Sequence, residues 1–378
     1  MKKHKIIRAV TVDKSLSFVE PMILQLKDKY EVQLLSSPGE RLERICREYE
    51  IKGHCVSMFR RISLVNDIKA LIKIVKLFHN EKPYMVHSMT PKAGLLCMVA
   101  ACITRVPYRV HTFTGLVWPT ATGLSRIVLM MTDWLTCVCA THVLPEGQGV
   151  LDDLRKYISH KSMKVLGWGN VKGVDMERFS RRLEVMERAR KIRDVNVYTF
   201  IFVGRIVGDK GINELVEAFQ KLHTSYLSTR LFLVGDQDEE LDLVKPKTFE
   251  IIKANLAIEA VGPKYDDDLL AYYAASDCFV LPSYREGFPN TVIEAGAMGL
   301  PSIVTDVNGS REIIEHGKNG VVIPSKNVDA LYHAMEYMLL EQNMAQKFAA
   351  NARVMIESRF EQGFVRKCLY EFYDEIMK

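Results

Sequence analysis

Two carboxylates, Glu286 and Glu294, stand seven residues apart in Glu286-Gly287-Phe288-Pro289-Asn290-Thr291-Val292-Ile293-Glu294, which reads as a loop entering a helix. Pro289 suits the first turn of that helix, where no backbone N–H is needed. Glu294 would then lie about one and a half turns on, at ~3.6 residues per turn, so both carboxylates can face one cleft. Backbone N–H groups and the dipole at a helix start favour a phosphate, and each carboxylate can accept hydrogen bonds from sugar hydroxyls. Hydroxyl-binding groups flanking a phosphate-binding helix end describe a sugar-nucleotide site. Upstream, Arg205 and Lys210 lie five residues apart between Gly204 and Gly211, on a loop joining an apolar strand to a helix. That is the phosphate-facing position of a Rossmann unit. Arg can hold two oxygens at once and Lys supplies a point charge, so the pair can neutralise a departing diphosphate without a metal.

The elements that must position these residues alternate along the chain. In the first half, Ile6–Val12, Glu31–Leu35, Tyr84–His87, Tyr108–Thr112 and His142–Leu144 read as strands. Phe18–Lys29, Val65–His79, Pro91–Thr104, Leu124–Cys137 and Gly147–Tyr157 read as helices, and Lys164–Gly167 as a last strand. Such alternation implies right-handed crossovers and a parallel sheet covered on both faces. The second half repeats it with strands at Tyr198–Val203, Arg230–Val234, Ala257–Val261, Cys278–Leu281, Pro301–Val304 and Gly320–Ile323. Helical patterns Asp329–Leu340, Asn343–Ser358 and Glu361–Met377 end the chain, the last with an apolar stripe of Phe364, Tyr370, Phe372 and Tyr373. The expected class is α/β with two domains, 1–167 and 176–360, joined by a Gly-rich linker at 168–175.

The motifs together resemble the retaining glycosyltransferases of family 4, whose E-x7-E signature matches Glu286 and Glu294. Gly204-Arg205-Ile206-Val207-Gly208-Asp209-Lys210-Gly211 is similar to that family's G-R-x4-K-G loop, and Leu233-Val234-Gly235-Asp236 to its strand ending in G-D. His87-Ser88-Met89-Thr90-Pro91-Lys92-Ala93-Gly94 and His111-Thr112-Phe113-Thr114-Gly115 resemble the bacterial branch that builds capsule, O-antigen and lipid-linked glycans. The resemblance implies a GT-B fold: two Rossmann-like, doubly wound domains facing across a cleft, with the C-terminal helix 361–378 crossing back to the first. It also implies a donor nucleotide diphosphate sugar, UDP-linked by analogy, whose ribose meets Glu294 and whose transferred sugar faces Glu286. The amides of Gly287, Phe288, Pro289–Asn290 and Thr291 would hold sugar and phosphates, with the base beside Gly262 and Tyr265. In the resemblance, front-face attack makes the leaving phosphate the acceptor of the proton, so no dedicated base is required. His111 is the candidate for an assisting role, or a bystander at a strand end, since relatives carry a His three residues later where this chain has Thr114.

The acceptor side is expected in the first domain. Lys14 and Ser15 follow the first strand, and His87, Thr90 and Lys92 sit where a helix follows a strand, a phosphate-friendly position. Lys14 and Lys92 are candidates for an acceptor diphosphate, although Lys92 equally fits a solvated helix surface. Trp118 is either an apolar wall for a saccharide or lipid, or core. Residues 1–170 carry 25 Lys/Arg against 14 Asp/Glu, a net of +11 within an overall +5. That asymmetry points to an anionic membrane or lipid diphosphate, or to a solvated face, and nucleic acid is not expected because no such motif accompanies it.

With 378 residues, 48% apolar and 26% charged, the chain reads as a globular two-domain protein. The apolar run near the N-terminus is interrupted at once, no stretch suits a membrane span, and the eight cysteines lack metal-ligand spacing. A cytoplasmic protein peripherally bound to the inner membrane face is expected, with a polyprenyl-diphosphate-linked saccharide as acceptor in bacterial surface polysaccharide synthesis. No cofactor or metal is expected; Asp236-Gln237-Asp238 has a metal-binding spacing without the context for it. Two other readings stay open. A UDP-sugar 2-epimerase of the same fold would interconvert sugars without releasing UDP. A non-catalytic subunit of a glycan-assembly complex would have no need of Arg205, Lys210, Glu286 and Glu294 together. A dehydrogenase is disfavoured, since no G-x-G-x-x-G follows the first strand.

Overall fold

The computed structural model describes residues 3–59, 62–237 and 242–377. The chain forms two compact units, one of residues up to Lys172 together with those from Val365 onward, the other Gly173–Phe364.

The first unit is built from β1 (His4–Ala9), α1 (Ile23–Lys29), β2 (Tyr30–Ser36), α2 (Glu40–Glu48), β3 (Lys52–Cys55), α3 (Leu64–Glu81), β4 (Met85–Met89), α4 (Pro91–Ile103), β5 (Tyr108–Phe113), α5 (Gly123–Cys139), β6 (His142–Pro145) and α6 (Gln148–Tyr157). The second contains α7 (Leu183–Ile192), β7 (Tyr198–Val203), α8 (Ile212–Ser225), β8 (Thr229–Val234), α9 (Pro246–Ala254), β9 (Ile258–Gly262), α10 (Asp266–Ala274), β10 (Cys278–Leu281), α11 (Asn290–Ala297), β11 (Ser302–Thr305), α12 (Ser310–Ile313), β12 (Gly320–Ile323), α13 (Val328–Leu340) and α14 (Gln342–Phe360). The final helix, α15 (Gln362–Ile376), begins in the second unit and continues into the first.

Both sheets are parallel and six-stranded, in the orders β3-β2-β1-β4-β5-β6 and β12-β11-β10-β7-β8-β9. The strand order therefore reverses between β1 and β4 in one sheet and between β7 and β10 in the other. Doubly wound sheets bind ligands outside the strand C-termini at such a switch point. The strands are apolar because helices cover both faces; Phe200, Ile201 and Phe202 of β7 are fully buried in the core of the second unit. In the first unit, Leu369, Phe372 and Tyr373 of α15 pack against Ile6, Met85, Val110 and Leu144.

Three local expectations are corrected. Phe18–Lys29 is not one helix: Pro21 stands in the second of two 3-10 turns, Asp13–Phe18 and Glu20–Met22, and α1 starts only at Ile23. Lys164–Gly167 is not a strand; a single bridge, Val143 with Met163, stands just before it, and left-handed Gly167 and Gly169 then turn the chain. Pro289 caps α11 from outside, at φ −72° and ψ 107°, and does not occupy its first turn.

Candidate active site

The loops after β7 and β10 meet at the second sheet's switch point, and they carry Arg205, Lys210 and Glu286. Gly211 makes the approach possible: it holds φ +72°, and a Cβ there would lie 2.1 Å from the Pro282 carbonyl oxygen. The loop after β10 is fastened to the loop after β7 three times and to α8 once. Tyr284 N–H donates to the Asp209 carbonyl at 2.8 Å, Arg285 pairs with Asp209 at 2.9 Å, the Tyr284 hydroxyl donates to Glu214 at 2.6 Å, and Lys210 pairs with Glu286. The Lys210 and Glu286 side chains are only 18% and 10% exposed, so each charge depends on the other for compensation. A third loop, after β11, closes on the second: the Thr305 hydroxyl donates to the Ser283 carbonyl at 2.5 Å. There Gly309, at φ +71°, lies so near Gly287 that a Cβ would be 2.2 Å from the Gly287 oxygen.

Behind the loops, α11 begins at Asn290 and carries Glu294, whose carboxylate accepts from the Tyr273 hydroxyl at 3.4 Å. Burial, then the Glu294 charge, pushes the Tyr273 phenol well above its usual range, so it remains a donor and fixes one carboxylate oxygen. Gly287, Asn290 and Thr291 are half-buried, whereas Phe288 and Pro289 are buried as packing. Arg205 is exposed, next to Gly204 at the end of β7. Gly262 ends β9 with φ +71° and open space beside it, and Tyr265, 69% exposed, stands just before α10 as its N-cap. Both lie two strands from the switch point, ~10 Å at the usual strand spacing. Asp238 lies outside the described residues.

Sequence reading missed the residues that hold this cluster: Asp209, Glu214, Tyr284, Arg285, Thr305 and Gly309. Position 285, beside Glu286, was the available signal, but its partner is 76 residues away.

In the first unit the structure separates the expected acceptor set. Lys14 is exposed and Ser15 half-buried on the turn after β1, with Thr90 and Lys92 after β4 across the switch point. Thr90 holds φ +71°, rare for a β-branched residue. Its hydroxyl oxygen accepts from the Thr11 backbone N–H at 3.0 Å and lies 2.7 Å from the Thr11 hydroxyl, which itself accepts from Ala93 N–H at 3.1 Å. Lys92 pairs with Asp67 on α3, the two side chains being 10% and 16% exposed.

His87 is sealed under α15, its ring between the Tyr373 hydroxyl at 2.5 Å and the Thr112 hydroxyl at 2.7 Å; burial lowers its pKa well below the usual histidine value. His111 is buried beneath α4, where a Cβ on Gly94 would come within 2.3 Å of its ring, and its Nδ1 is 2.9 Å from the Ser88 hydroxyl. Burial lowers its pKa to about 3, and the ring is closed off from solvent. Thr114 is half-buried beyond the end of β5. Trp118 is buried, edge-on to Tyr157 at 5.4 Å, and offers no open wall for a saccharide.

Comparison with known proteins now places the chain. Residues 186–355 match the model of the glycosyl transferases group 1 family, and residues 9–135 match a glycosyl transferase 4-like model. Over 384 aligned positions the chain is 30% identical to the capsular polysaccharide biosynthesis glycosyltransferase CapM of Staphylococcus aureus, covering 100% of this chain and 99% of the relative. The chain belongs to the glycosyl transferases group 1. It is a glycosyltransferase. Another relative is the UDP-Gal:alpha-D-GlcNAc-diphosphoundecaprenol alpha-1,3-galactosyltransferase of Escherichia coli, 29% identical over 85% of this chain and 84% of that protein. The fold is GT-B: the structure of Anabaena Alr3699/HepE in complex with UDP matches with TM-score 0.81 and 17% identity, over 98% of this chain and 100% of that one.

Proposed function

We propose that this glycosyltransferase moves a sugar, with retention and without a metal, from a UDP-linked hexose or N-acetylhexosamine to a polyprenyl-diphosphate-linked saccharide. The reaction would serve bacterial surface polysaccharide synthesis at the cytoplasmic membrane face. One observation carries the reading: the loops after β7 and β10 bring the cations of Arg205 and Lys210 and the carboxylate of Glu286 to a switch point beside the start of α11.

In this reading the diphosphate lies against the β7–α8 loop. Lys210, steered by Glu286, and Arg205 take up the charge that develops as the glycosidic bond breaks, while the α11 N-terminus adds its dipole. Glu286 faces the transferred sugar, and Glu294, fixed by Tyr273, accepts from the ribose hydroxyls. The ~10 Å to Gly262 and Tyr265 leaves room for the nucleoside to extend along the strand ends. The relatives support the acceptor class: the E. coli enzyme and an N-acetylgalactosaminyltransferase of Campylobacter jejuni, 23% identical over 96% of this chain, are both named for diphosphoundecaprenol-linked sugars.

A panel of nucleotide sugars, scored by thermal stabilisation and by release of nucleoside diphosphate, tests the donor side. A UDP-sugar should stabilise the protein, and Arg205→Ala should cut turnover by a factor on the order of 100 while the melting temperature holds. Wild-type turnover in folded Arg205→Ala would remove the leaving-group role.

A further inference from the structure

The outer faces of α3 and α5 are apolar where a surface helix normally carries charge. On α5, Leu124, Ile127, Met131, Trp134 and Val138 recur at three- and four-residue spacing and form one exposed stripe, with Leu124 at 76%, Met131 at 62% and Trp134 at 51% exposure. The only charged residues of this helix are Arg126 and Asp133, and Asp133 is buried on the inward side. On α3, Ala70, Ile74 and Phe78 face the core, while Leu64, Val65, Ile68 and Ile72 are exposed. Beside that stripe, Lys69, Lys73 and Lys76 follow at successive turns, all exposed. Between the two helices lies α4, touching both, and the inward residues of all three share one core. Both stripes thus belong to one helix layer on one face of the first sheet, and exposed apolar surface of this kind marks an interaction site.

The charges select the occupant. A second copy stacked stripe to stripe would bring two lysine rows together, whereas an anionic surface complements Lys69, Lys73 and Lys76. An apolar stripe with flanking lysines and an interfacial Trp is the composition of a helix lying in the plane of a membrane, and none of the described helices is long and apolar enough to cross one. We propose that the α3–α5 face docks on an anionic phospholipid bilayer, with Leu64, Ile68, Ile72, Ile127, Met131 and Trp134 below the headgroups and the α3 lysines against the lipid phosphates. This deepens the lipid-linked acceptor reading by locating the membrane contact, yet it is tested without that acceptor.

The measurement is co-sedimentation with phosphatidylglycerol-containing vesicles that hold no polyprenyl lipid, compared with neutral phosphatidylcholine vesicles. The wild type should bind the anionic vesicles and bind less tightly at high salt. Ile127→Glu with Trp134→Glu should lower partitioning about tenfold or more, and Lys69→Glu with Lys73→Glu should do so at low salt. Neither pair should change the melting temperature or transfer to a short-chain acceptor in solution, because all four side chains are exposed and none belongs to the loops after β7 and β10. Wild type that ignores anionic vesicles, or an α5 variant that binds them as wild type does, overturns the proposal. So does a wild-type dimer in sedimentation velocity that the α5 variant dissociates, since the face would then belong to a second copy. Vesicle binding without any sugar transfer to a lipid-linked acceptor would leave the docking surface standing and remove the acceptor reading.

Discussion

Replacing Lys210 by alanine should damage stability and turnover separately, and a second substitution should tell the two apart. In the folded protein the Lys210 ammonium lies against Glu286, with the two side chains 18% and 10% exposed. Breaking a fully buried ion pair costs ~3–5 kcal/mol, because the surviving charge is stranded. With this residual exposure, Lys210→Ala should cost ~2–4 kcal/mol. In a unit of this size, spanning residues 173–364, ~3 kcal/mol corresponds to roughly 6–12 °C in melting temperature. Glu286→Gln, added to Lys210→Ala, removes the stranded carboxylate and should restore most of that loss. Turnover behaves differently: the single variant should lose a factor on the order of 100, and the double variant should recover none of it. Differential scanning calorimetry and a nucleoside diphosphate release assay on the same preparations read both quantities. A double variant that regains wild-type turnover, or a Lys210→Ala protein with unchanged melting temperature, would refute the reasoning.

Gly211→Ala should separate the loops after β7 and β10, since its Cβ would meet the Pro282 oxygen at 2.1 Å; a drop in turnover of about tenfold or more is expected, with Gly299→Ala, also at positive φ but in open space, as the active control. Acid should destabilise the first unit in a defined window. The depressed pKa of His111, about 3, gives stability that is fully present above the unfolded value of ~6.5 and is lost at ~1.4 kcal/mol per pH unit as pH falls toward 3. Buried His87 contributes in the same direction, and denaturation midpoints across that range should fall less steeply in His111→Gln; an identical slope would contradict the assignment. Turnover should persist in excess chelator, and loss that magnesium or manganese restores would return Asp236 and Asp238 to consideration as ligands.

The cluster proposed to hold the donor was legible because its signals are local. Glu286 and Glu294 share one loop-helix segment, Arg205 and Lys210 share one loop, and the apolar runs at Tyr198–Val203, Cys278–Leu281 and Gly320–Ile323 form strands at those bounds. A doubly wound sheet then brings the loops after its first and fourth strands together whatever lies between. The residues expected to meet the acceptor were less legible, because their side chains are decided by distant partners. Lys92 meets Asp67 from the preceding helix, His87 meets Tyr373 from the last one, and His111 is covered by the glycine face of α4. Each sits at a position where function is plausible, and only packing shows where the ring or ammonium goes. The segment from Glu40 to Cys55 escaped notice for another reason: α2 is strongly charged, and β3 is a short, largely exposed edge strand without the apolar run that marks its neighbours.

The central claim is tested most directly by following the sugar itself. The protein would be incubated with a UDP-sugar, anomerically labelled with carbon-13, and a polyprenyl-diphosphate-linked saccharide in detergent, with product and nucleotide read by NMR. One UDP should appear for each sugar transferred, and the new glycosidic bond should keep the donor's anomeric configuration. Inverted linkage would contradict the front-face mechanism, and interconversion of the nucleotide sugar at C2 without release of UDP would contradict transfer.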